Sequence, residues 1–253
     1  LALRLQKYFP KTLNMAYHIF NEALQVGEQQ QDNRLIAYAK GFLGQVYERG
    51  QRYQEALQLT QQAIFFAQNL PDILYFWEWQ QARLLDTQQD LAGALKAYEQ
   101  ALEHLHPIRT RLFIGQRDTL EVLNERIRPV YLGLTDLLLR KAAMTSAPAT
   151  KTHLLKQARD NIEKIKIIEL QEYFQDECIS AVGTPIDEVE QALDQHTAIL
   201  YPILLSNRTE LLLTLADGIH QVVVPVGAEI LGATVHEWRK NLQFSTSPRF
   251  IEQ

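Results

Sequence analysis

The chain has 253 residues, of which 46% are hydrophobic and 22% charged, with a formal net charge of -5. These fractions are those of a globular protein that buries a core, and the length allows one large domain or two ordinary ones. The mild acidity argues against nucleic acid as a partner, and the longest apolar run, residues 198–205, is too short for a bilayer span, which argues against a membrane protein.

The chain contains a single cysteine, Cys178, so it cannot form an internal disulfide. This usage fits a reducing compartment, and the N-terminus lacks the plan of a signal peptide, so we predict a cytoplasmic protein. The sequence begins at Leu1 rather than Met, within a segment of helical periodicity. We therefore interpret it as a fragment of a longer chain.

Residues 1–146 carry apolar side chains at intervals of three and four, separated by Gln, Glu, Lys and Arg. This pattern predicts one helix after another, each about 14–20 residues long. The predicted breaks lie at residues 27–33, Gly50–Gln51, Asn69–Asp72, Asp86–Asp90 and His106–Pro107.

An internal repeat determines the predicted architecture. A small, a large and a second small residue recur at spacings of four and three. Small residues let two helices approach closely, and each helix pair leaves an apolar face that the next pair covers. The three sets are Ala16, Phe20 and Ala23; Ala56, Thr60 and Ala63; and Ala94, Tyr98 and Ala101.

The helix before each later set carries a small residue followed three positions on by a larger one, Gly44 with Tyr47 and Ala82 with Leu85. This pattern resembles the tetratricopeptide repeat, and residues 41–63 match it best. The sequence departs from the family in its longer interval, since the usual period is about 34 residues, and in Thr60, which replaces a large residue. An ordinary antiparallel helical bundle is the alternative.

The resemblance to tetratricopeptide repeats implies a concave groove on the first helix of each pair, which binds a protein or peptide partner. Counted from the Ala56 and Ala94 sets, the implied groove residues are Gln45, Glu48, Arg49, Trp79, Arg83 and Asp86. A tryptophan beside an arginine is a favoured combination in binding hot spots. The alternative is that Trp79 packs against the neighbouring repeat.

Four aromatic residues lie within five positions, at Tyr75, Phe76, Trp77 and Trp79. They cannot all face one core on a helix, because neighbouring positions point in different directions. At least one of them is predicted to reach the surface or the groove.

Helical periodicity continues over Thr119–Met144, where Pro129 should kink the helix or start a new one. A loop of small residues is predicted at Thr145–Thr150, followed by a helix from about Lys151 to Phe174.

The C-terminal part changes to β-prone apolar segments. Asp217–Gly218 is a strong hairpin signal, because both residues tolerate positive φ. The prediction is a three-stranded antiparallel meander within residues 197–226, followed by a helix over 229–242. The predicted strands cover residues 198–205, 210–216 and 219–226.

The second and third predicted strands are apolar at both odd and even positions, which is typical of a sheet covered on both faces. The chain supplies one clear helix after them. We therefore expect the cover to come from the helical region, from another copy of the chain through a homo-oligomer or swapped pairing of the meander, or from sequence outside this fragment.

A second resemblance rests on three short segments: residues 169–178 (Glu-Leu-Gln-Glu-Tyr-Phe-Gln-Asp-Glu-Cys), 198–205 (Ala-Ile-Leu-Tyr-Pro-Ile-Leu-Leu) and 210–218 (Glu-Leu-Leu-Leu-Thr-Leu-Ala-Asp-Gly). They resemble the junction at which the tetratricopeptide repeats of cyanobacterial proteins enter a CHAT domain, a caspase-like module. The resemblance covers residues 110–245. It implies repeats and linking helices over residues 1–180, and the truncated N-terminal portion of a CHAT-like α/β domain over 181–253.

The CHAT resemblance places a catalytic His and Cys dyad beyond residue 253, so no catalytic residue is assigned to this chain. Cys178 lies beside Asp176 and Glu177, whose carboxylates raise a thiol pKa and suppress the thiolate. We interpret it as a structural cysteine.

His104 and His106 are two positions apart, so they point to different sides of a helix, and we predict no metal or cofactor there. Asp187, Glu188 and Glu190 indicate a solvated helix start.

The predicted fold class is mainly α: a tetratricopeptide-like solenoid followed by a small antiparallel meander with a flanking helix, the start of an α/β caspase-like domain. The favoured function is a non-catalytic protein-interaction scaffold, the recruiting or regulatory region of a CHAT-domain protein. The alternatives are part of a caspase-like cysteine protease and a regulatory repeat domain that binds signalling peptides.

Overall fold

The computed structural model describes residues 12–113, 119–174 and 196–245. The described part of the chain is mainly helical, with one three-stranded sheet and a final helix. It divides into two compact units, Leu1–Leu137 and Leu138–Gln253.

The first unit contains five consecutive helices in which each packs against the next. Turns separate them at the predicted breaks, and the first of these turns follows Gln30, so Gly27 lies within a helix. The helices are α1 (Thr12–Gln30), α2 (Asn33–Arg49), α3 (Tyr53–Ala67), α4 (Pro71–Thr87) and α5 (Leu91–Leu105).

Local chemistry explains where these helices begin. The Asp32 carboxylate accepts hydrogen bonds from the first backbone N–H groups of α2, and Asp90 accepts one from Gly93 N–H in α5. Pro71 opens α4, where its missing N–H costs nothing. Helix α2 packs most extensively with α3, and α4 with α5, so α2 and α4 are each the first helix of a pair.

Five of the six small residues in the predicted repeat sets lie buried where the helices meet, as predicted, whereas Ala23 is partly exposed. Ala16, Ala56, Ala63, Ala94 and Ala101 are fully buried. Gly41 is also a contact position, since a side chain there would overlap the Trp77 ring from α4. Close helix contact at small residues is therefore confirmed as the organising feature of this unit.

Thr60, the departure from the repeat pattern, is explained by a buried polar link. Its hydroxyl donates to the Ala56 carbonyl at 2.7 Å and accepts from the Gln80 amide at 2.7 Å. The same Gln80 nitrogen also donates to the Gly41 carbonyl at 3.0 Å. A hydrogen-bonded Thr–Gln contact thus takes the place of an aromatic side chain between α2, α3 and α4.

Shorter segments follow α5: a 3-10 turn (His106–Ile108), α6 (Arg109–Phe113), α7 (Thr119–Val122) and a π-helical turn (Leu123–Ile127). Helix α8 (Arg128–Met144) follows this turn without a break, so the helix widens just before Pro129, where the sequence predicted a kink or a new helix.

The second unit contains α9 (Pro148–Phe174), which begins three positions before the predicted start because Pro148 suits the first turn of a helix. The meander follows, with strands β1 (Ile199–Leu204), β2 (Thr209–Leu215) and β3 (Gly218–Val224) in the order β1-β2-β3. Both pairings are antiparallel, as predicted.

The hairpin between β2 and β3 differs in detail from the predicted Asp217–Gly218 turn. Leu215 pairs with Gly218, so the two loop residues are Ala216 and Asp217. Gly218 alone adopts a positive φ, of 133°, among these residues. The glycine therefore ends the turn as the first residue of β3, where its missing side chain relieves the strain.

One face of the sheet is covered and the other is open, so the expectation that both faces are covered is not met by the described residues. Tyr201, Ile203 and Leu212 are buried on the covered face, where Lys166 of α9 lies 4.5 Å from the Tyr201 ring centre. Strand alternation places the following residues on the opposite face, which we call the open face: Leu200, Pro202, Leu204, Leu211, Leu213, Leu215, His220, Val222 and Val224. The division is incomplete at one end of the sheet, where Thr209 is buried on the open face and Val223 is exposed on the covered face.

The last described element is α10 (Ala228–Ser245), which overlaps the predicted final helix. The predicted domain boundary after residue 180 lies outside the described residues and stays a prediction. Cys178, Asp187, Glu188 and Glu190 also lie outside them. Among the helices that the structure describes, none has the length and apolarity needed to cross a membrane.

Candidate functional site

A cavity of about 860 Å³ lies along the first helices of the repeat pairs in the first unit. This volume is within the range of ligand-binding clefts. We call it the repeat groove. It is lined by Phe20, Phe42, Gln45, Glu48, Arg49, Phe76, Trp79, Arg83, Glu125 and Arg126.

Five of the six groove residues implied by the sequence line this cavity together: Gln45, Glu48, Arg49, Trp79 and Arg83. The sixth, Asp86, follows Arg83 by one turn of α4, is partly buried and is not one of the lining residues.

Helical spacing explains how α2 and α4 present these side chains. Phe42, Gln45 and Arg49 follow one another at intervals of three and four on α2, and Phe76, Trp79 and Arg83 do the same on α4. Residues at these intervals share a helix face. Two such faces side by side give a floor of aromatic rings with polar groups along it.

Arg83, Trp79 and Glu48 are joined by direct contacts in the groove. The Arg83 guanidinium lies 4.4 Å from the Trp79 ring centre. It also donates two hydrogen bonds to the Glu48 carboxylate, at 3.2 and 3.0 Å. The two-point ion pair joins α2 to α4, and both contacts hold Arg83 above the indole. The contacts with Arg83 and Phe76 orient the Trp79 ring in the groove.

The aromatic floor continues across the helices. The Phe76 ring centre is 5.7 Å from Trp79, and the Phe42 and Phe20 rings are stacked at 5.1 Å. These separations are those of favourable aromatic pairs. The floor thus presents flat apolar surfaces contributed by α1, α2 and α4.

The four consecutive aromatic positions of α4 divide between core and groove, as their spacing predicted. Tyr75 and Trp77 are buried, whereas Phe76 and Trp79 are partly exposed in the groove. Burial raises the pKa of the Tyr75 hydroxyl to about 12, and the nearby Arg126 opposes this shift.

Sequence reasoning did not identify Phe20, Phe42, Phe76, Glu125 and Arg126 as groove residues. Phe42 and Phe76 precede Gln45 and Trp79 by three positions, so helical spacing could have identified these two, whereas Phe20 lies on α1, where no groove residue was predicted. Glu125 and Arg126 come from the π-helical turn, and no local pattern indicates that this turn reaches the groove.

A separate polar contact joins α4 to α5. The Glu78 carboxylate is buried and lies 2.8 Å from Nδ1 of His104. Burial raises the pKa of Glu78, and the hydrogen bond to His104 partly counteracts the increase. His104 is thereby engaged by a single carboxylate. Nowhere in the ranges that the structure describes do three His, Cys, Asp or Glu side chains form a group able to hold a metal.

Glu78→Gln is expected to remove a pH-dependent loss of stability. Because the folded-state pKa of Glu78 is raised, its contribution to stability is full below the unfolded-state pKa, near 4.3, and is lost as the pH rises through the folded-state value. The free energy of unfolding of Glu78→Gln, relative to that of the unmodified chain, should therefore increase as the pH rises from 4 towards neutrality. Urea titrations at several pH values measure it. Glu99→Gln, at an exposed position of α5 that does not affect Glu78, is the control, and equal pH slopes for all three chains would contradict the prediction.

No family model and no curated protein matches the sequence. Among solved structures, the chain is similar to BtubC (BKLC) from P. vanneervenii, with 17% identity, a TM-score of 0.46, and coverage of 66% of this chain and 61% of that chain. It is similar to the apo form of RapI, with 16% identity, a TM-score of 0.38, and coverage of 60% and 64%. It is also similar to a putative kinesin light chain of Podosopora anserina with nearly identical TPR-like repeats, with 15% identity, a TM-score of 0.39, and coverage of 68% and 92%.

The stacked antiparallel helix pairs with small residues at their contacts define the class of the first unit. It is a tetratricopeptide-like helical-repeat fold. A three-stranded antiparallel sheet and a final helix follow in the second unit. The chain spans 61% of the length of BtubC.

Proposed function

We propose that this chain is a protein-interaction scaffold whose repeat groove binds a short, extended peptide segment of a partner protein. The observation that carries the proposal is the pairing of Trp79 and Arg83 with Glu48 above an aromatic floor. The groove already holds its largest side chain in one orientation, so binding costs little further ordering of that residue.

The size of the groove favours a short segment, because ten residues already exceed its volume. A helix of ten residues, about 11 Å across and about 15 Å long, fills on the order of 1,400 Å³. The groove offers about 860 Å³. An extended segment exposes alternate side chains, and one large apolar side chain can then lie on the Phe42, Phe76 and Trp79 rings.

The charges along the groove favour an acidic residue beside that apolar side chain. Three arginines and two glutamates line the cavity. Glu48 is already paired with Arg83, and Arg126 is exposed at the groove. A carboxylate on the peptide can pair with Arg126, and the planar guanidinium suits a carboxylate well.

Selection from a library of random dodecapeptides on the immobilised chain tests the proposal. We expect enrichment of peptides that combine a large apolar residue with Asp or Glu, and weaker capture at high salt because exposed charge pairs are screened. A chain carrying Trp79→Ala should not enrich these peptides, whereas one carrying Phe65→Ala, which removes an exposed aromatic ring outside the groove, should do so. Equal enrichment on both variants would refute the proposal.

A second candidate function is the recruiting or regulatory region of a CHAT-domain protein, with a caspase-like cysteine protease further along the chain. The observation that favours it is that two of the segments that resemble CHAT-domain proteins coincide with structural elements. Residues 198–205 contain β1, and residues 210–218 contain most of β2 and the hairpin turn. The downstream sequence tests it: a His after a glycine pair and a later Cys, each at a strand end, support it, and their absence leaves a scaffold without protease activity.

A further inference from the structure

The second unit carries two exposed apolar surfaces. The first is the open face of the sheet, where Leu200 is 55% exposed and Val222 50%. The second is a stripe along α10, where residues spaced four, three and four apart lie on one side of the helix. This α10 stripe consists of Leu231, Val235, Trp238 and Leu242, and Trp238 is 62% exposed. Within the part of the chain that the structure describes, both surfaces are left exposed.

Hydrogen bonds fix the direction in which α10 leaves the sheet. Ala228 N–H donates to the Leu205 carbonyl at 2.8 Å, and the Thr209 hydroxyl donates to the Val226 carbonyl at 2.7 Å. A side chain at Gly227 would overlap the Ser206 carbonyl, so the backbone packs closely at this corner. With the corner held in this way, the α10 stripe and the open face of the same copy do not cover one another.

The two surfaces match in length and in chemistry. The α10 stripe extends over 11 residue steps, about 17 Å of helix, and strands of six or seven residues are about 20–23 Å long. Neither surface carries a Lys, Arg, Asp or Glu side chain. Packing the apolar stripe of a helix on the apolar face of a sheet is a standard way of closing a hydrophobic core.

We propose that two copies of this chain associate by exchanging α10, so that the stripe of each copy packs on the open face of the other. Every copy supplies one helix and one sheet face, so a twofold pair satisfies both surfaces at once. A stable specific interface buries about 1,200–2,000 Å² in total, so each of the two symmetric contacts has to remove about 600–1,000 Å² from water.

Sedimentation of the 253-residue chain across the micromolar range tests the exchange, and a dimer is the expected result. Trp238→Glu places a charge in the stripe, and Val222→Glu places one in the open face. Each is expected to weaken dimerisation about 100-fold or more, because each breaks both symmetric contacts. A monomeric unmodified chain would overturn the proposal, and so would a Val222→Glu chain that still dimerises through paired helices.

Mixing the two variants distinguishes exchange from other modes of association. The helix of the Val222→Glu copy and the sheet of the Trp238→Glu copy are both intact, so the mixture regenerates one complete contact. We expect a heterodimer in the mixture and monomers in each separate solution. A mixture that stays monomeric would contradict the exchange.

Two further variants guard against misfolding. His236→Glu lies on the side of α10 away from the stripe and should leave the dimer intact. Leu200→Glu introduces a charge at a second exposed position of the open face, on β1 rather than β3, and should also give monomers. Unchanged circular dichroism spectra for the four variants identify the loss of the dimer as a surface effect. A dimer that is lost with His236→Glu, or retained with Leu200→Glu, would overturn the proposed surfaces.

Discussion

Trp77→Ala is expected to lower the free energy of unfolding by about 3–5 kcal/mol, the usual cost of removing a large buried aromatic side chain. Trp77 is fully buried and its ring covers Gly41. The rings of Tyr38 and Phe42 contact it edge-on, at 6.1 and 5.3 Å. Glycine at position 41 leaves no side chain to fill the resulting cavity. Chemical denaturation followed by far-UV circular dichroism measures the loss.

The matched control is Trp79→Ala, which removes the same residue type two positions further along α4. Trp79 is partly exposed in the groove, so its removal should cost about 1 kcal/mol, as is typical away from the core. Equal losses for the two variants would show that Trp79 belongs to the packed interior and would contradict its assignment to the groove.

Trp79→Ala is in turn expected to weaken the binding of a selected peptide at least tenfold, about 1.4 kcal/mol or more. The variant removes the aromatic surface that the peptide covers and the stacking contact of that surface with the Arg83 guanidinium. Arg83 retains its ion pair with Glu48, so the loss reports the indole surface. Isothermal titration of the peptide against each chain measures this loss.

The sequence predicts the helical part of the fold closely because packing there depends on local spacing. Small residues such as Ala56 and Ala94 recur where helices meet, and caps such as Asp32 stand at the breaks. The same regularity places Glu48 and Arg83 on adjoining faces of α2 and α4, where they form an ion pair.

Features that depend on contacts between residues far apart in the chain could not be predicted from the sequence. From the sequence alone, Thr60 is a departure from the repeat pattern. Its role depends on Gln80, 20 residues later, which donates a hydrogen bond to its hydroxyl. The entry of Arg126 into the groove depends on the π-helical turn before Pro129. The open face of the meander could not be predicted from strands that are apolar at both odd and even positions, because that pattern does not say which face α9 covers.

The central claim is that the repeat groove is the site of partner binding, and titration of one enriched peptide against three chains tests it most directly. The unmodified chain and Phe65→Ala should bind the peptide with equal affinity, because Phe65 is exposed and lies outside the groove. Trp79→Ala should bind it at least tenfold more weakly while remaining folded. Equal affinity for all three chains, or a loss on Phe65→Ala alone, would place the peptide elsewhere and contradict the claim.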